Sequence, residues 1–375
     1  MSAATPQRAL MPDYLRLIAL FGIVIVNVQY MGFSILQGLA PEASGTRGDS
    51  VTLLLVNGLA LLKTYGLFSF MFGAGLGFLM RSAQRQDISL GKLYRNRMLG
   101  LAGLGLLHGC LLFPGDILLI YAVTGSILYF VRDWPVQQLV RLAIALLVLQ
   151  MAIAAPLLSL DEAMPDDIIA LERTVMLEGT IADVALFRSI VFSFVFLFGL
   201  FAQGVSALGW FCLGLAAVKS ARMETPDHPM WRKLRWWCLG PGVLLSLLGA
   251  GLLQWSATLP GAILVVIAAP LTTLGYLGVI ANIAKPPGPI MHMLLKAGGS
   301  SLTIYLSQSI ILSTIFTGYG FGLWEQLSHA AATALAISVT LCLVLACVAW
   351  RRFFPLGPFE MVLRRITYAG QPPQS

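Results

Sequence analysis

The chain has 375 residues, is 58% hydrophobic and 11% charged, and has a mean hydropathy of +0.82. That excludes an ordinary soluble domain, in which about a quarter of the residues are charged. The formal charge of +7 is spread over many short segments, which argues against nucleic acid as a partner and for membrane lipids with anionic headgroups.

A hydrocarbon layer about 30 Å thick needs roughly 20 apolar residues of helix. Windows of about that size predict helices over residues 14–38, 52–80, 98–114, 117–131, 136–160, 186–218, 237–255, 261–284, 299–318 and 328–350. The first is too long for a signal-peptide core and reads as an uncleaved span. The third and fourth are short and joined by Pro114-Gly115-Asp116, a turn signal that predicts a tight helical hairpin. The second and sixth exceed the bilayer, which implies tilt or an interfacial extension. From Pro358 to Tyr368, apolar residues alternate with Glu360, Arg364 and Arg365 at spacings that suit a helix lying on the membrane surface. The expected fold is all-α: a polytopic membrane bundle of about ten transmembrane helices, one domain over 1–375. Its tails are residues 1–13 and 351–375.

Of the 24 Lys and Arg residues, 19 fall in alternate gaps between these runs, among them Arg81 to Arg97, Lys219 to Arg235 and Arg351 to Arg365. The positive-inside rule makes that side, and both termini, cytoplasmic. The gap at 161–183 is rich in Asp and Glu and is expected outside.

Ionisable groups at membrane depth are costly and mark functional candidates. His108 lies about ten residues, or roughly 15 Å, into its helix. Asp116 sits at the outer tip of the hairpin, Lys63 toward the outer half of the second helix, and Asn27 about two-thirds of the way along the first. Each also has a plainer reading: packing for His108, snorkelling for Lys63, a solvated turn for Asp116 and helix adhesion for Asn27. Direct contact between His108 and Asp116 requires the chain to fold back at Pro114. Ser301, Tyr305 and Gln308 follow i, i+4, i+7 spacing and share a face that lines a cavity or a helix seam, with Thr303 and Ser309 elsewhere on the helix. Asp13 and Arg16 form an i, i+3 pair suited to a structural salt bridge. Gly73, Gly75 and Gly77 sit in an apolar helix and suit close helix packing, not nucleotide binding. The Cys and His spacings point to no disulfide and no metal site.

These segments together resemble the YeiB-like family of bacterial multipass membrane proteins, classed as a domain of unknown function. The family's opening pattern is matched by Arg8, Asp13, Arg16, Gly22, Val26 and Asn27, with Leu17 in place of a usual Gly. Its later blocks are matched by Lys63-Thr64-Tyr65 through Gly75, by Gly105 to His108 with Gly115 to Leu118, and by Ser301 to Ser309. Gly318-Tyr319-Gly320, Glu360 and Arg364 to Tyr368 complete the match. That family is similar to the wider transmembrane acyltransferases, which carry an acyl group from cytoplasmic acyl-CoA to an acceptor on the far side. They use a His near the outer part of the first helix or just after it, and here no His occurs between residues 28 and 107, so either His108 takes over as the base or the chemistry differs.

The resemblance thus implies a transmembrane acyltransferase of the bacterial inner membrane, acting on a small-molecule or glycan acceptor. No cofactor is expected to be permanently bound; acyl-CoA is the expected co-substrate. A neutral imidazole at His108 would accept the acceptor's proton, while Asn27 would donate to the developing oxyanion; Asp116 is a further catalytic candidate. Lys63 would hold an anionic acceptor, Arg95 and Arg97 the nucleotide phosphates, and Ser301, Tyr305 and Gln308 would line the substrate cavity. The alternatives are a small-solute transporter or channel, and a non-catalytic lipid-binding scaffold. A tunnel from the basic side toward His108 favours the enzyme, whereas helices broken at mid-depth favour a transporter. No oligomeric state is implied.

Overall fold

The apolar windows become helices in the computed structural model, which describes residues 10–38, 46–159, 164–254 and 257–370; no strand forms among the described residues. The opening residue of the motif, Arg8, lies outside them. Helix α1 (Met11–Met31) carries Pro12 in its first turn, where a missing amide costs no helical hydrogen bond. The second window is composite. Helix α2 (Arg47–Leu55) starts on a Thr46–Asp49 capping box, and a π-helical turn follows over Val56–Ala60. Helix α3 (Lys63–Arg85) restarts after Leu62, whose φ of 65° is left-handed. The excess length of this segment is therefore absorbed by a bulge and a break.

Helices α4 (Leu90–Leu111) and α5 (Leu118–Phe130) form the hairpin expected at Pro114, and α6 (Val136–Ser159) follows. The acidic gap holds an unexpected helix, α7 (Asp166–Glu178); residues 161–163 of that gap lie outside the described residues. The single helix expected over 186–218 is two, α8 (Ile181–Ala202) and α9 (Gly204–Lys219). Gln203 breaks it with a φ of −120°, and its carbonyl accepts the Tyr65 hydroxyl at 3.3 Å. Helices α10 (Pro229–Gln254) and α11 (Thr258–Ile283) pack as a pair. A short α12 (Pro289–Gly298) meets α13 (Ser301–Phe316) at 76°, before α14 (His329–Trp350) and the tail helix α15 (Pro358–Thr367).

By length and composition seven segments can cross a membrane, eight if the bent α12–α13 pair is one span. The expected total of about ten adds the α4–α5 hairpin, whose first helix begins with Lys92, Arg95 and Arg97 and whose second has only 13 residues. Buried side chains of α1, α3, α4, α5, α9 and α13 meet in a central core that includes Leu20, Tyr65, Leu101, Tyr121, Phe211 and Tyr305. Outer helices expose large apolar groups such as Phe194, Trp237, Leu244 and Leu341, the pattern of a surface turned to lipid. A Cβ on Gly73 would overlap the Phe211 carbonyl, so α3 and α9 approach backbone to backbone there.

The tail helix is amphipathic, with Leu363 and Thr367 buried and Arg364 and Arg365 turned outward. Its Glu360 carboxylate accepts the Leu302 and Thr303 amides at 2.6 and 3.2 Å. It thus supplies to α13 the N-terminal cap that a helix start lacks. Arg16, Arg97 and Arg364 share this end of the bundle, here called the basic end.

Candidate functional site

The hairpin turn decides the site. Gly105 lies three residues before His108 and so on the same face of α4. A Cβ there would stand 2.5 Å from the Leu119 amide nitrogen and 2.8 Å from Asp116 Oδ2, so only glycine lets the start of α5 press this close. The chain folds back at Pro114, and Asp116 Oδ2 accepts the Leu119 N–H at 2.8 Å. Its other oxygen, Oδ1, lies 2.8 Å from His108 Nδ1. The direct contact that a straight helix forbids is therefore made.

On the opposite ring nitrogen, His108 Nε2 is 2.8 Å from Ser309 Oγ. The hydroxyls of Thr314 and Thr317 bond the carbonyls four residues back, at Ile310 and Ser313, but that of Ser309 turns to the imidazole. His108, Asp116 and Ser309 are 1%, 2% and 2% exposed. An ionised carboxylate only accepts, so the proton between Asp116 and His108 sits on Nδ1, and Nε2 accepts from the Ser309 hydroxyl. This is the hydrogen-bond order of a Ser–His–Asp triad. One turn before Ser309, the Tyr305 ring lies 5.0 Å from the imidazole, centroid to centroid. Its buried hydroxyl lies near the Ile117 backbone without a well-aligned hydrogen bond.

A crevice of about 520 Å³ enters from the basic end. Arg16, Arg97 and Arg364 stand among its lining residues with Ser301, and Tyr121, Ile117 and Tyr305 line it as well. Arg95 instead borders a separate apolar groove beside Tyr94 and Met98. Gln308, expected in the cavity with Ser301 and Tyr305, points to α14 and donates to Thr340 Oγ1 at 2.8 Å. Ser309, expected elsewhere on the helix, is the residue that reaches the histidine. Asp13 and Arg16 form their salt bridge at 3.6 Å.

Lys63 does not join the site. Fully buried, it donates to the Asn57 carbonyl at 3.1 Å, and among the described residues no ion pair links it to Asp116. Asn27 is half-buried and makes no hydrogen bond to His108, Asp116 or Ser309. Beyond Ser309 the polar face of α13 continues to Ser313, which with the Leu111 carbonyl holds the buried Arg188 guanidinium at 2.7 and 2.8 Å. Sequence reasoning missed Ser309 and Arg188; the run Tyr305, Ser309, Ser313 at intervals of four was the available signal. At the end opposite the arginines, a cavity of about 540 Å³ opens between α2, α7 and the start of α14, with Asp49, Asp166, Glu325 and His329 in its wall.

Fold and site define a polytopic all-α membrane protein with a buried Ser–His–Asp cluster. Residues 217–370 match the family described as "Protein of unknown function (DUF418)". The chain is 27% identical to the uncharacterized protein YxaH of Bacillus subtilis, over 98% of this chain and 96% of that one. It is also 27% identical to the uncharacterized protein YeiB of Escherichia coli, over 95% of each chain. The YeiB-like resemblance read from the motifs therefore holds along the chain, with Ser309 inside the family match and His108 and Asp116 within the end-to-end similarity. No solved structure matches.

Proposed function

We propose that the protein is an acyltransferase of the bacterial inner membrane. It takes an acyl group from acyl-CoA on the cytoplasmic, basic side and passes it to a small-molecule or glycan acceptor, with His108 as general base. The observation that carries this reading is the imidazole bonded on both nitrogens, by Asp116 and by Ser309. Asp116 holds the tautomer in which Nε2 is free to take a proton. The crevice supports the same reading, because three arginines, with Gln86, Ser301 and Glu360 also in the wall, stand along a mostly apolar slot that reaches the tyrosine beside His108. Such a slot suits a polyanionic nucleotide at the rim and a thioester arm within. Arg16 and Arg364, with Arg97, take the phosphate role expected of Arg95. Membrane lipids surround the exposed apolar helices.

The test is His108→Gln in purified protein, with thermal stability and acyl-CoA turnover measured together. Turnover is expected to fall by roughly 100-fold or more while the fold persists. Full turnover in a stable variant would remove His108 as the base. A transporter is the second reading, favoured by the break at Leu62 beside buried Lys63 and by the 76° bend between α12 and α13.

A further inference from the structure

We infer that Ser309 is a nucleophile that carries the acyl group covalently, so that transfer runs through a seryl ester in the middle of the bundle. The inference rests on the acyl-transfer reading and adds an intermediate to it. A base that merely deprotonated an incoming acceptor would need its Nε2 facing open space. Instead Nε2 faces the Ser309 hydroxyl at 2.8 Å, and both groups are almost fully buried. A serine within an apolar helix ordinarily satisfies itself on its own helix. This one donates its hydrogen bond to the ring, the ground-state geometry of a nucleophile poised for activation.

The surroundings fit the chemistry. The crevice from the basic end reaches Tyr305, one helical turn or about 6 Å along α13 from Ser309. There a thioester carbonyl would arrive beside the Tyr305 hydroxyl, a buried donor without a well-aligned partner and available for the oxyanion. In the first step Ser309 Oγ bonds to the thioester carbonyl carbon and the C–S bond breaks. His108 takes the hydroxyl proton on Nε2 and returns it to the departing thiolate, which leaves as a free thiol. In the second step the acceptor's hydroxyl or amine attacks the seryl ester. His108 takes its proton and delivers it to Ser309 Oγ, which restores the serine. No oxidant, reductant or metal is needed.

Two probes test this on the full-length protein. A fluorophosphonate, which reacts with serines activated by histidine, is expected to label Ser309 at one equivalent, as mapped by peptide mass. Labelling should vanish in Ser309→Ala and drop at least tenfold in His108→Gln. Radiolabelled acetyl-CoA without acceptor should leave a hydroxylamine-labile acetyl group on the same residue, and Ser309→Cys should retain the label as a thioester. Absence of label on wild-type protein, or label on another residue, overturns the inference whatever the variants do. Wild-type transfer by Ser309→Ala with transfer lost in His108→Gln also overturns it, while leaving His108 as a direct-transfer base. Fluorophosphonate labelling of Ser309 without acylation by acetyl-CoA overturns the seryl ester and leaves only a reactive hydroxyl.

Discussion

Two buried polar clusters lie within this apolar bundle, and they are built oppositely. Around His108, both ring nitrogens and both Asp116 oxygens have partners at 2.8 Å. Around Lys63, among the described residues, the ammonium donates to the Asn57 carbonyl, the Asn57 side chain has no partner at either amide atom, and Leu62 holds a left-handed backbone. A satisfied network in a medium of low dielectric is rigid and fixes one geometry, as catalysis requires. An unsatisfied amide and a strained residue each cost about 1–3 kcal/mol, so the second cluster is a place where alternative arrangements lie near in energy. On the proposed function, the contrast puts chemistry at the α4–α5–α13 junction and adaptability at the α2–α3 break.

The largest expected effect breaks the first cluster alone. Asp116→Asn keeps the shape, but an amide can offer its N–H to His108 and so favour the wrong tautomer. Acyl transfer should fall on the order of 10⁴-fold, the scale of that exchange in a triad, with a much smaller change in thermal stability. Activity within tenfold of wild type would show that the carboxylate does not orient the ring. Next in size is Gly105→Ala, whose methyl would meet the Leu119 amide and Asp116. Overpacking of this kind costs about 1–3 kcal/mol, and because it shifts the carboxylate, activity should drop further than stability. A matched substitution at Gly103 on the same helix, where a Cβ meets nothing within 4 Å, should do neither.

Much of this contrast is hidden in the sequence, for identifiable reasons. Helix positions were legible because apolar windows of bilayer length are hard to mistake. The breaks at Gln203 and Leu62 were not, since apolar composition runs through them and hydropathy does not register backbone geometry. Helix α7 was masked by its acidic residues, although Leu171, Val175 and Met176 mark an apolar side. His108 and Asp116 were legible as ionisable groups at depth. Their contact was not, because eight residues of straight helix span about 12 Å, and only the turn at Pro114 brings them together. Ser301, Tyr305, Gln308 and Ser309 occupy one arc of about 100° on α13, so spacing alone could not tell which edge meets α14 and which meets the histidine.

A substitution in the second cluster should have the opposite sign. Asn57→Leu replaces a fully buried amide that has no partners with an apolar group of similar size. It is therefore expected to raise stability by about 1–3 kcal/mol and leave acyl transfer unchanged, as read by thermal unfolding and turnover side by side. Stability gained with function lost would mean that the α2–α3 break works for a living, and would shift the weight toward the transporter.

The smallest effect sharpens the comparison outside the spans, at Glu172 of α7. Its carboxylate is buried, which pushes its pKa above the ordinary value of 4.5, against opposing hydrogen bonds from Ser34 and the Ile35 amide. The hydrogen bonds therefore do not offset the cost of burying this carboxylate as an anion. Because the folded state binds this proton more tightly than the unfolded state, the stabilising contribution of the protonated acid is complete below pH 4.5. It is lost as pH rises through the raised folded-state value. Glu172→Gln stays neutral throughout and keeps an oxygen for the Ile35 amide. Its unfolding temperature relative to wild type should therefore rise between pH 4 and pH 7, by an amount small beside the Asp116 and Gly105 effects. A gap that stays constant or shrinks over that range would show that Glu172 is at ease as an anion, and that the seat of α7 does not titrate.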